Sequence, residues 1–96
     1  MNITKADIVD TISSSTGISK LDTKYVVDGV FTAIVNAIAE GNKVELRGFG
    51  VFNSKKRKAR MARNPKTGAP VELKERFVPV FKSSSEFVHK VIEEHP

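Results

Sequence analysis

Apolar residues recur at helical spacing as far as Gly41, take on a strand-like period of two just after it, and return to helical spacing near the C-terminus. Thr4 and Asp7 have the spacing of an N-terminal capping pair, and Ile8, Val9 and Ile12 follow along one face of a helix. The run Ser13-Ser14-Ser15-Thr16-Gly17 is expected to stop it, since Gly17 tolerates the left-handed conformation a helix end favours. Ser19 with Asp22 opens a second, longer helix. Val27, Phe31, Ile34 and Ile38 form one stripe on it, with Val26, Val30, Ala33 and Ala37 beside them. So wide an apolar surface predicts burial on more than one side, and Gly41 closes the helix.

Beyond Gly41 the period falls to two. Lys43-Val44-Glu45-Leu46-Arg47 alternates as a half-buried strand does, and Gly48-Phe49-Gly50 fits a tight turn into a second strand, Val51 to Ser54. That strand runs on into a basic tongue and turns at Pro65 to Gly68. It returns through Val71-Glu72-Leu73 to Phe77-Val78-Pro79-Val80-Phe81. Ser83 paired with Glu86 is expected to cap a final short helix bearing Phe87, Val88, Val91 and Ile92. The order is helix, helix, three strands, helix. With no internal repeat and no long linker, residues 1–96 read as one α+β domain.

Charge sharpens this picture. The segment from Lys55 to Lys66 holds seven of the sixteen basic residues and no acidic one, so it carries +7 in a chain whose net charge is +5. The basicity is local, and a charged ribbon of this kind suits a polyanion. The absence of cysteine excludes disulfides, zinc fingers and thiol catalysis. Enzyme chemistry finds no support elsewhere. The serine runs lack a glycine-framed nucleophile turn, and Gly48 and Gly50 lack the spacing of a phosphate-binding loop. His89 and His95, six residues apart at one end, do not compose a metal site. No cofactor, metal or small-molecule substrate is expected. The N-terminus shows no apolar signal core and no stretch approaches a membrane span, so a soluble cytoplasmic protein is expected.

A projecting arm over about 54–75 would leave roughly 70 residues for a core, few enough to be marginal alone. Those residues nonetheless include all six phenylalanines. The economical solution is a dimer whose second helices and sheets share one core, with Phe31, Ile34, Phe49, Phe52 and Phe81 in it. Such a dimer would present two arms about a two-fold axis.

Gly48-Phe49-Gly50-Val51-Phe52, the basic stretch, Arg63-Asn64-Pro65-Lys66-Thr67-Gly68 and Val78-Pro79-Val80-Phe81-Lys82 together resemble the bacterial HU and integration host factor family. The resemblance runs from about residue 2 to 92. It implies an intertwined dimer with a helical base, a three-stranded antiparallel sheet and two long β-ribbon arms, associated with the nucleoid. The arms are implied to enter the minor groove of double-stranded DNA and bend it, with the tip residue, here Pro65, wedged between base pairs. Arg60 and Arg63 match arm arginines of the family, and Lys55 and Arg57 its proximal basic positions. Lys58, Asn64, Lys66, Lys74, Arg76, Arg47 and Lys82 complete the expected nucleic-acid contacts. In an unbroken strand residues 55, 57 and 63 share a face and 60 lies opposite, so a β-bulge between 57 and 60 is expected.

Two positions depart from the family or divide it. The usual Pro-Gly-Lys after Phe81-Lys82 is replaced by Ser83-Ser84-Ser85, whose hydroxyls and backbone N–H groups are candidates to hold a phosphate in place of the missing base. Glu45 and Arg47 resemble an acid–base pair that the sequence-specific branch sets beside the minor groove, or else a simple exposed charge pair. The leading expectation is a DNA-bending, DNA-compacting protein of little sequence preference. A site-selective bender, paired with itself or with a paralogue, and an RNA-binding module are the alternatives.

Overall fold

A computed structural model describes residues 1–95 of the chain. It comprises α1 (Lys5–Thr16), α2 (Lys20–Ala39), β1 (Val44–Leu46), β2 (Gly50–Arg57), β3 (Arg60–Arg63), β4 (Pro70–Leu73), β5 (Arg76–Ser83) and α3 (Ser85–Glu94). These fall into two compact units, Met1–Asn36 and Ala37–Pro96.

In the first unit, Thr4 and Asp7 form the expected capping box. The Asp7 N–H donates to Thr4 Oγ1 at 3.3 Å, and the Thr4 N–H donates to Asp7 Oδ2 at 2.9 Å. Both donors of Thr4, backbone first and hydroxyl second, hold the Asp7 carboxyl below its ordinary pKa. The serine run makes up the last turn of α1, which ends at Gly17 as expected. Its hydroxyls bond nearby carbonyls, Ser15 and Thr16 to that of Ile12 and Ser13 to that of Ile18, so helix and polar side chains coexist. The stop is Gly17, at φ 77°, whose N–H reaches Ser13 O at 3.0 Å.

Lys5 to Asp28 (2.7 Å) and Lys20 to Asp10 (3.4 Å) tie α1 to α2 at the surface. Val9 on α1 and Val27 on α2 are the only buried apolar side chains among the described residues, and Thr23 on α2 is buried as well. α2 opens as expected, with the Asp22 N–H donating to Ser19 Oγ at 3.1 Å. At its other end the N–H groups of Gly41 and Asn42 bond the carbonyls of Ile38 and Ala37, a Schellman closure with Gly41 at φ 89°.

The second unit is built on an antiparallel sheet of order β1-β2-β5. Gly48, at φ 80°, makes the β1–β2 turn, which the Phe49 N–H closes on Leu46 O at 2.9 Å. Phe52 stands opposite Phe81 on the β2–β5 ladder, their ring centroids 4.7 Å apart, and Phe49 and Phe87 complete a cluster over them. Gly50 is buried beneath it. A Cβ there would stand 2.6 Å from the Phe81 ring and strike the Lys82 carbonyl, so a side chain is excluded by packing and not by backbone angle. Ser84, not Ser83, caps α3. Ser83 is spent on the last rung of β5 opposite Gly50, while Ser84 Oγ accepts the Phe87 N–H at 3.1 Å. The Ser84 N–H meanwhile bonds Phe49 O, joining the helix start to the β1–β2 turn.

Candidate nucleic-acid interface

The basic segment is one hairpin in continuous register. β2 pairs with β5 down to Arg57↔Arg76, and β3 pairs with β4 from Arg60↔Leu73 to Arg63↔Pro70. Between the two ladders lie two residues on each side, Lys58-Ala59 and Lys74-Glu75. Neither strand has an extra residue, so the expected bulge is absent. Pairing lapses symmetrically instead. Within β3 alternate residues face opposite ways, and Arg60 and Arg63, three apart, therefore occupy opposite faces of the ribbon.

Nearer the sheet, the same alternation sorts the expected contacts. Lys55 and Arg57 lie on one face of β2, and the register brings Arg76 and Lys82 of β5 onto that face as the partners of Arg57 and Val51. Lys56, with its partner Phe77, shares the other face with Phe52 and Phe81. Between residues 55 and 76 the chain carries nine cationic side chains and two carboxylates. Among the described residues, Lys56 is the one cation of this segment with an ion pair, its Nζ 2.9 Å from Glu75 Oε1. Sequence reasoning passed over Glu75, because only the register shows that it lies diagonally across from Lys56.

The tip is a closed loop. The Asn64 N–H bonds Ala69 O and the Gly68 N–H bonds Asn64 O, at 2.9 and 2.7 Å, with Gly68 at φ 71°. Asn64 Oδ1 accepts the Lys66 N–H at 2.9 Å, so this side chain shapes the turn. Arg63 Nη1 donates to Gly68 O at 3.2 Å, bracing the loop from below. Pro65 and Lys66 are exposed at the end of it. Far along the sheet, Arg47 and Lys82 line an open cleft with Ser83, Ser84 and Ser85. Glu45 does not join Arg47; its carboxylate lies 3.0 Å from Lys43 Nζ. Of the expected core residues, Phe49, Phe52 and Phe81 meet in the aromatic cluster, whereas Phe31 and Ile34 lie on α2 in the first unit.

No helix among the described residues is long and apolar enough to cross a membrane. The profile of the bacterial DNA-binding protein family matches residues 3–91. A solved structure of HU from Anabaena in a cocrystal with DNA is 36% identical, with 93% of this chain and 97% of that one covered, at a TM-score of 0.84. A mutant of HU from Thermotoga maritima is 27% identical over 93% of this chain and 99% of that one, at a TM-score of 0.71. A mutant of transcription factor 1, solved in solution, is 25% identical over 96% and 92%, at 0.63. A basic hairpin on an α+β frame, matched by a family profile over nearly its whole length, places this chain in the bacterial DNA-binding protein family of HU, the histone-like proteins of the nucleoid.

Proposed function

We propose that this protein acts as an architectural dimer whose two ribbon arms lie in the minor groove of duplex DNA and bend it with little sequence preference. The observation that carries the reading is the cationic face of Lys55, Arg57 and Arg76, without an ion pair among the described residues, leading toward the tip at Pro65. Lysines and arginines on a ribbon reach phosphates on either side of a groove, and arginine suits the strong negative potential of a narrow minor groove. Proline at the tip is a rigid apolar wedge without a backbone donor. It unstacks a base step without burying an unpaired N–H. Unstacking costs a few kcal/mol per step, which the bent duplex offsets by touching more basic surface.

The dimer reading is supported by what one chain leaves uncovered. Phe31 is 47% exposed and Val26 64%, while on α3 Val88, Val91 and Ile92 are all exposed. With two buried apolar side chains among the described residues, a lone chain has no core able to offset its conformational entropy. A second copy supplying the same faces would complete one.

Site selectivity draws no support from Glu45, whose partner is Lys43. A-form RNA, with a deep major groove and a shallow minor one, fits a wedge-tipped ribbon less well than bendable B-DNA.

The test is energy transfer between dyes on the two ends of a short random-sequence duplex, titrated at low and moderate salt. Transfer should rise on binding, and the affinity should fall steeply with salt. Pro65→Ala should bind with most of its affinity and bend much less. Binding by the native protein without a rise in transfer would rule out bending. Preference for duplex RNA in competition would favour the RNA module instead.

A further inference from the structure

The root of the hairpin is electrostatically one-sided. Lys55, Arg57, Arg76 and Lys82 share one face of the β2–β5 ladder, and none has an ion pair among the described residues. Lys56 occupies the other face beside Phe77, which is 71% exposed, and it is held by Glu75 across the diagonal at 2.9 Å. The second carboxylate of the segment, Glu72, sits further out opposite Met61 and makes no ion pair among the described residues. Of these two acids, then, the one beside the root neutralises Lys56, the one cation that the β2–β5 ladder places on the aromatic face, while Arg60 on that side lies further out.

We propose that Glu75 selects the face of the arm's root that receives DNA, by occupying Lys56 and repelling phosphate from the Phe77 side. The inference rests on the arm being the grip proposed above. A ribbon with free cations on both faces offers a duplex two docking modes, and specificity between them is a difference of affinities. An exposed ion pair holds only weakly, yet here pairing and phosphate repulsion act in the same direction. Along the β2–β5 ladder the Lys55–Arg57–Arg76 face keeps its full charge, and the aromatic face presents no free cation there. The root of the arm thereby meets the duplex by one face.

A mutant cycle read by the salt dependence of binding to a short random-sequence duplex tests this. Lys56→Ala in the native background should leave the slope of log K against log salt unchanged. Glu75→Gln should steepen it by about 0.9, one phosphate contact, and Lys56→Ala in that background should remove the increment. With benzoylphenylalanine in place of Phe77, photocrosslinking to DNA should rise several-fold on Glu75→Gln. The proposal is overturned if Lys56→Ala flattens the native slope by about 0.9, if Glu75→Gln leaves the slope alone, or if crosslinking is equal in both backgrounds. Arg57→Ala serves as the control. An unchanged slope for that variant would overturn the arm grip itself, a failure distinct from that of Glu75.

Discussion

Arg57 stands directly opposite Arg76 on the last rung of the β2–β5 ladder, and neither has a carboxylate partner among the described residues. Like charges on directly opposed residues destabilise a sheet by about 0.2–1 kcal/mol. Here the cost falls where pairing lapses, at Lys58-Ala59 and Lys74-Glu75. A polyanion along that face would remove it. Arg76→Thr should therefore raise Tm at low salt by about 2–4 °C. The same change should flatten the salt dependence of DNA binding by about one contact. Calorimetry and a salt titration on the same variant check the two halves. A lowered Tm would show that the guanidinium groups do not repel each other in the free protein.

Arg60 and Arg63 are predicted to fail in different ways. They face opposite sides of β3, and Arg63 alone braces the tip through Gly68 O. Arg60→Ala should weaken binding to all sequences and lower the slope by about 0.9, with bending at saturation unchanged. Arg63→Ala should lower the slope similarly and also reduce bending, since the loop presenting Pro65 loses its strut. Energy transfer at saturating protein separates the two. Equal bending by both variants would show that the strut does not matter.

Phe31 tests the shared core. In a single chain the ring is only half covered, so truncation there should cost little. In an interlocked dimer it should cost about 3–5 kcal/mol, as for a fully buried ring. Phe31→Ala is therefore expected to dissociate or unfold the protein, read by sedimentation and by the denaturant midpoint. A dimer of unaltered stability contradicts the shared core.

The capping box on α1 predicts an acid-side pH dependence. Asp7 titrates below its usual value of 3.8 because Thr4 donates to its carboxylate. A carboxyl whose pKa is depressed by folding stabilises the fold above its unfolded value, and that contribution is lost as pH falls through the folded one. Denaturant midpoints of the native protein and Asp7→Asn should thus differ by a constant amount near neutral pH. The difference should shrink as the pH drops below about 3.8. A difference that persists into strong acid would show that the charge on Asp7 contributes nothing.

What the chain dictated alone was much of what is built from partners a few residues apart. The Thr4–Asp7 box, the Ser19 contact, the closure at Gly41 and the Asn64–Gly68 tip all join groups no more than five positions apart, and each was legible as a short motif. The alternation after Gly41 likewise revealed strands, and the tip motif revealed the turn of the basic hairpin. Tertiary structure decided which residues meet across the hairpin. The choice of Ser84 over Ser83 as the α3 cap follows from β5 keeping its pairing with β2 to the final rung, Ser83 opposite Gly50. The missing bulge and the Lys56–Glu75 pair follow from the same register, carried unbroken from the tip to the sheet. A period of two says that a residue faces one side or the other; it cannot say which residue of the returning strand stands opposite. That is set jointly by the tip loop and by the Phe52–Phe81 packing, contacts too distant in sequence for any local pattern to record.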